Sequence, residues 1–134
     1  EYIPIRIGVG INTGECAVSN FGSEQRFDYS VIGDNVNLAS GLEGQSKTYG
    51  MDIVLGEQTR EEVLDFATLE LDLLQVKGKT KPVRVFALLG NEVLSIRAEF
   101  KTLQEVNLLC PKALKIQKLL CFNNCDSILY IIYM

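Results

Sequence analysis

A chain of 134 residues with 47% apolar and 22% charged side chains is long enough for one modest core. Its formal charge of −4 excludes a general electrostatic attraction to nucleic acid. The chain has no His, which excludes a histidine base, a histidine-paired nucleophile and a histidine-liganded metal within it.

The first predicted element spans residues 3 to 11, where Ile3, Ile5, Ile7, Val9 and Ile11 alternate with Pro4, Arg6, Gly8 and Gly10 as in a half-buried strand. "NTGE" (12–15) turns the chain, "CAVSNFG" begins a second strand, and "RFDYSVIG" forms a third. A helix is expected from about Asn35 to Lys47, with Asp34 as N-cap and Val36, Ala39 and Leu42 as its apolar stripe beside Leu38. Gly50 stops it, and "MDIVL" reads as a short buried strand. "TREEVLDF" (59–66) reads as a short helix in which Thr59 and Glu62 have capping-box spacing. "LELDLLQV" (69–76), the turn "KGKTK" and "PVRVFALL" (82–89) form a hairpin. "EVLSIRAEFKTLQEVNLL" reads as helical, and the tail from Pro111 carries no clear period. Helices placed between strands and hairpins predict a mixed α+β or α/β sandwich.

Cys16, Cys110, Cys121 and Cys125 offer no two pairs at metal-ligand spacing. With no signal peptide at the start, they read as free thiols in a reducing, cytoplasmic setting. The longest uncharged apolar run, "SILYIIYM", is far too short to cross a bilayer, so no membrane segment is expected.

Two phosphate motifs fail on inspection. Gly8, Gly10 and Gly14 lack dinucleotide-fingerprint spacing, and no helix follows them. "GLEGQSKT" lacks the Gly before its Lys and falls at a helix C-terminus, where the dipole repels phosphate. The segment "DYSVIGDNVNLASGLE" survives. Asn37 and Gly41 lie four apart, hence on one helix face, near an N-terminus whose dipole favours an anion. The face offers an amide at Asn37 and no side chain at Gly41.

"RFDYSVIGDNVNLASGLE" closely resembles the class III nucleotidyl cyclases, whose catalytic domain converts ATP or GTP into the 3′,5′-cyclic nucleotide. "IRIGVGINTGECAVSNFGSEQ", "DIVLGEQTREEV" and "LLQVKGKTKPVRVFALLG" resemble the blocks around that motif, in the same order, over residues 3 to 90. The resemblance implies an incomplete ferredoxin-like cyclase fold of the α+β class, an antiparallel-rich sheet with helices on one face. Residues 1–90 would be the C-terminal half of a catalytic domain and 91–134 a partly helical extension of unknown role.

By that resemblance Ser30 stands at the purine-reading position, where a small hydroxyl is similar to the Thr of adenylate cyclases and favours ATP over GTP. Asn37 stands at the ribose-orienting position, where an amide holds the sugar so that its 3′-hydroxyl faces the α-phosphate. Lys77 stands at a phosphate-contacting position; on charge alone, Lys77, Lys79 and Lys81 read as a solvated turn.

The chain departs from the family at two places. Gly41 occupies the position of an Arg that stabilises charge on the transferring phosphate, and Arg26 or Arg84 would have to substitute for it. The family's Mg or Mn is held by two Asp of earlier strands that have no counterpart here; Asp28 and Asp34 fall on other positions, so no metal ligand is assigned. The expected partners are ATP and a second cyclase protomer, as a homodimer or heterodimer, with no nucleic acid. The chain would supply the purine, ribose and phosphate side of a shared site, be inactive alone, and be cytoplasmic or tethered to a membrane through upstream regions. The alternatives are a non-catalytic cyclase-homology module for dimerisation or regulation, which Gly41 favours, and a plain α+β interaction domain, which the four ordered blocks oppose.

Overall fold

Gly8 and Gly10 decide where the long helix lies. A computed structural model describes residues 5–21, 28–75 and 82–109. In it, chain order runs β1 (Val9–Ile11), β2 (Ala17–Phe21), β3 (Asp28–Ile32), α1 (Asp34–Tyr49), β4 (Ile53–Gly56), α2 (Glu57–Glu62), β5 (Ala67–Leu74), β6 (Val83–Gly90), α3 (Glu92–Ser95) and α4 (Ala98–Leu109). A Cβ on Gly10 would collide with the backbone of α1 at Ala39 and Glu43, and one on Gly8 with the Ser46 hydroxyl. The glycine side of the strand therefore lets α1 rest directly on the sheet. The isoleucine side faces away, leaving Ile5 88% and Ile7 68% exposed.

The strand expected over residues 3–11 is short, because β4 offers only four residues for it to pair with. Val9, Gly10 and Ile11 run parallel to Ile53, Val54 and Leu55. The sheet continues antiparallel through β6 to β5, in the order β1-β4-β6-β5, while β2 and β3 form a separate antiparallel pair. The β5–β6 hairpin follows the sequence reading; the second and third predicted strands form as β2 and β3, and β2 pairs with β3 in a sheet separate from β1. The turn "KGKTK", with Lys77, lies outside the described residues, as do Arg26 and the tail with Cys110, Cys121 and Cys125.

Several local expectations are corrected. The N-cap of α1 is Gly33 rather than Asp34. Gly33 has φ 152°, a conformation that favours glycine, and its carbonyl accepts from the amides of Val36 and Asn37 at 3.1 Å each. Asp34 opens the first turn instead, where the dipole still favours its charge. The buried stripe of α1 is Leu38, Leu42, Ser46 and Tyr49, rotated from the expected Val36, Ala39 and Leu42, because the close approach of the Gly10 backbone selects which face turns inward. Gly50, in the left-handed conformation at φ 66°, ends the helix as predicted. Helix α2 begins at Glu57, so Thr59 is no cap: it is buried inside the helix and its hydroxyl reaches the Ile11 carbonyl at 3.4 Å.

The segment predicted helical after Gly90 forms two helices. Asn91 caps α3 by accepting from the Leu94 amide at 3.4 Å, and the Ser95 hydroxyl donates to the Glu92 carbonyl at 2.8 Å, competing with continuation of the helix. The separate α4 then turns Phe100 and Leu103 into the cluster that also holds Leu38, Leu42, Val54, Leu69, Leu71 and Val85. Thus α4 shares one core with the sheet and α1, on the far side of the Gly90 boundary. It also closes the rim of β5: Gln104 Nε2 donates to the Thr68 carbonyl at 3.3 Å and Asn107 Nδ2 to the Glu70 carbonyl at 2.8 Å. Tyr49 ties the end of α1 to β5 by donating to Asp72 at 3.4 Å. No helix among the described residues is long and apolar enough to cross a membrane.

Candidate functional site

The site is built where β3 enters α1. Ser30 sits at the middle of β3, opposite Ser19 of β2, and is half-buried. Gly33 turns the chain and α1 starts at once, so Ser30 and Asn37 flank a single bend. Asn37 is in the first turns of α1, its amide N–H bonded to Gly33 and its side chain exposed. Among the described residues its carboxamide has no partner, so both its donor and its acceptor are available. Gly41 lies one turn further along the same helix, half-buried. The structure thus places Asn37 and Gly41 on one helix face and keeps Ser30 and Asn37 out of the packed interior.

The bend is held by residues that the sequence did not single out. Asn12 Nδ2 donates to the Asn35 carbonyl at 3.3 Å and to Asn35 Oδ1 at 3.4 Å, while Asn35 Nδ2 donates to the Glu15 carbonyl at 3.0 Å. Any side chain at Gly14, whose φ is 158°, would strike the Asn35 carboxamide. On the other flank, the Thr13 and Thr59 hydroxyls meet at 3.2 Å. The 12–15 turn therefore clamps the start of α1 from one side and α2 from the other. Its signature in the sequence was faint: two Asn, each next to a turn, 23 positions apart.

Of the proposed substitutes for the missing cation, Arg84 on β6 faces Glu57 at 3.7 Å and is thereby engaged elsewhere. Cys16 is exposed and unpaired. Among the described residues no three His, Cys, Asp or Glu side chains gather to hold a metal ion. Among the described residues the donor set does not fit a Mg or Mn site.

The polypeptide order, a strand–Gly–helix bend with an open amide followed by a hairpin, is the frame of a known catalytic domain. A family model described as the adenylate and guanylate cyclase catalytic domain matches residues 1–90, and the chain belongs to that family. It is 34% identical over 96 residues to an adenylate cyclase of Dictyostelium discoideum described as terminal-differentiation specific, covering 69% of this chain and 4% of that protein. It is also 34% identical over 86 residues to an adenylate cyclase of Anabaena cylindrica, covering 61% of this chain and 17% of the relative. The chain therefore spans less than a fifth of either relative.

Among solved structures, the adenylyl cyclase CyaB from P. aeruginosa superposes with a TM-score of 0.53 at 34% identity, over 61% of this chain and 41% of that one. The guanylate cyclase domain of RhGC from Catenaria anguillulae, solved in complex with GTP, shares the fold with a TM-score of 0.52 at 24% identity, over 61% of this chain and 43% of that one. The fold is accordingly a cyclase-type α+β domain, matched in part.

Proposed function

We propose that this chain supplies the purine and ribose side of a class III adenylate cyclase site that is completed by a second cyclase protomer. The parent reaction joins the ribose 3′-hydroxyl oxygen of ATP to its α-phosphorus and releases pyrophosphate. Ser30 offers a hydroxyl to the base, Asn37 orients the sugar, and Lys77 approaches the phosphates. The divalent ion belongs to carboxylates of the other protomer. The observation that carries this reading is the solvent-facing carboxamide of Asn37, without a partner among the described residues, in the first turns of α1 on the segment that the family match covers.

Gly41 supports a second reading, a cyclase-homology module kept for dimerisation or regulation. A guanidinium at that position would stabilise charge on the transferring phosphate, and loss of such a group lowers turnover by about a hundredfold or more. The native chain is therefore expected to bind ATP weakly and to turn none over by itself.

The test is complementation. The chain is mixed with a cyclase protomer whose metal carboxylates are intact and whose own ribose and Arg positions are disabled, and cyclic AMP is measured from Mn-ATP. Gly41→Arg should raise the rate by about a hundredfold over the native chain, and Asn37→Ala in that background should abolish the gain. Dimer formation and ATP binding without rescue by Gly41→Arg would favour the regulatory module. Absence of both activity and calorimetric ATP binding would remove the nucleotide reading.

A further inference from the structure

Asn12 follows directly on β1, whose last residue Ile11 pairs with Leu55, and its side chain reaches Gly56 at the end of β4. A Cβ on Gly56 would collide with Asn12 Oδ1, so the bare backbone there is what admits the carboxamide. On the other side, Asn12 Nδ2 donates to both the carbonyl and the side-chain oxygen of Asn35. Asn35 Nδ2 donates in turn to the Glu15 carbonyl, so both ends of the Asn35 carboxamide are held from the 12–15 turn. Asn12 is thus a spacer set between the four-stranded sheet and the first turn of α1.

Helical geometry carries that constraint to the site. Successive residues advance about 100° around an α-helix, so Asn35 and Asn37 point about 200° apart. Asn35 faces the 12–15 turn, and Asn37 emerges on the other side, exposed. Fixing Asn35 therefore fixes the rotation at which Asn37 emerges. A side-chain tip lies about 5–6 Å from the helix axis, so a slip of about 20° would move the Asn37 carboxamide by about 2 Å. A misplacement of about 1 Å in a positioning contact costs about a hundredfold in rate. We propose, resting on the reading in which Asn37 orients the ribose of ATP, that Asn12 acts through Asn35 as a positioning residue. It sets the rotation of α1 at which Asn37 meets the sugar.

The test uses the complementation assay with the full chain carrying Gly41→Arg, its rates expressed per folded chain from circular dichroism. Asn12→Ala should lower kcat by about tenfold or more. The KM for Mn-ATP should change by less than about twofold, because the base and phosphate contacts are untouched. Asn12→Asp keeps the side-chain shape beside Gly56 but turns an acceptor toward the two Asn35 oxygens. It should lower kcat by a similar factor. Asn107→Ala is the control: it removes a carboxamide hydrogen bond from α4, outside the bend. Both constants per folded chain should then stay within about twofold of the parent.

Unchanged kcat in folded Asn12→Ala or Asn12→Asp would overturn the positioning role alone and leave the cyclase reading standing. Absence of cyclic AMP from the Gly41→Arg parent would instead sink the cyclase reading, and the positioning role with it. Loss of folding in both Asn12 variants would also overturn the positioning role, since Asn12 would then be a prop for the whole domain.

Discussion

The two edges of the four-stranded sheet are finished in different ways. At β5 the outward carbonyls of Thr68 and Glu70 accept from Gln104 and Asn107, and α4 buries Phe100 and Leu103 against the core behind them. At β1, no strand among the described residues pairs with the outer side, and Ile5, Ile7 and Ile11 stand exposed beside it. The difference teaches where this piece of a cyclase domain is self-sufficient. The closed edge depends on α4, which lies beyond the 1–90 family match; the open edge lies within it and presents both unpaired backbone and apolar side chains. Such an edge invites another strand or another copy.

The comparison can be broken most directly at Phe100, which is 1% exposed. Phe100→Ala should lower unfolding free energy by about 3–5 kcal/mol in a urea titration, because a large core side chain leaves a cavity. A loss below about 1 kcal/mol would mean that α4 is an appendage and the edge is not closed by it. Next comes Asn107, 8% exposed. Asn107→Ala should cost about 1–3 kcal/mol, since it leaves the Glu70 carbonyl unsatisfied, and hydrogen exchange should quicken along β5 more than along β4.

Tyr49 is a smaller and pH-dependent tie. Burial, and secondarily the Asp72 carboxylate, push its phenol up to about 12 from 10.0. A folded-state pKa above the unfolded value means that the native state holds the proton more tightly. The stabilisation is thus complete below pH 10 and lost as pH rises through about 12. Tyr49→Phe should cost about 1 kcal/mol at neutral pH and should flatten stability between pH 10 and 12 relative to the native chain. The smallest effect on stability belongs to the open edge. Ile7→Lys should change unfolding free energy by no more than about 0.5 kcal/mol, yet shift sedimentation from larger species toward monomer. An unchanged sedimentation profile, or a native chain that is already a single monomer, would show that the β1 edge is inert.

How much of this was legible in the sequence differs between elements. The β5–β6 hairpin and the stop at Gly50 were readable because alternation and glycine chemistry are local. The face shared by Asn37 and Gly41 was readable for the same reason, since helical spacing alone sets it. The N-cap was misread because Asp34 is the better cap by side chain, whereas the backbone at Gly33 takes a conformation that only the tight β3–α1 bend demands. Thr59 matched a capping-box spacing by coincidence; its hydroxyl answers to Ile11 and Thr13, which are distant in sequence. The Asn12–Asn35 clamp escaped notice because it joins a turn to a helix start through tertiary contact alone. Alternation at residues 3–11 was real, but strand length is set by what lies alongside, and β4 is short.

The bare backbone at Gly10 has a consequence for variation. Because the obstacle to a methyl group there is main chain at Ala39 and Glu43, no rotamer change can make room. Even alanine would have to lever the whole α1 cylinder outward, carrying Asn37 with it. Under the proposed function, in which Asn37 orients the sugar, a substitution at Gly10 would then read out as a changed grip on the ribose, while its own neighbourhood would look like ordinary packing.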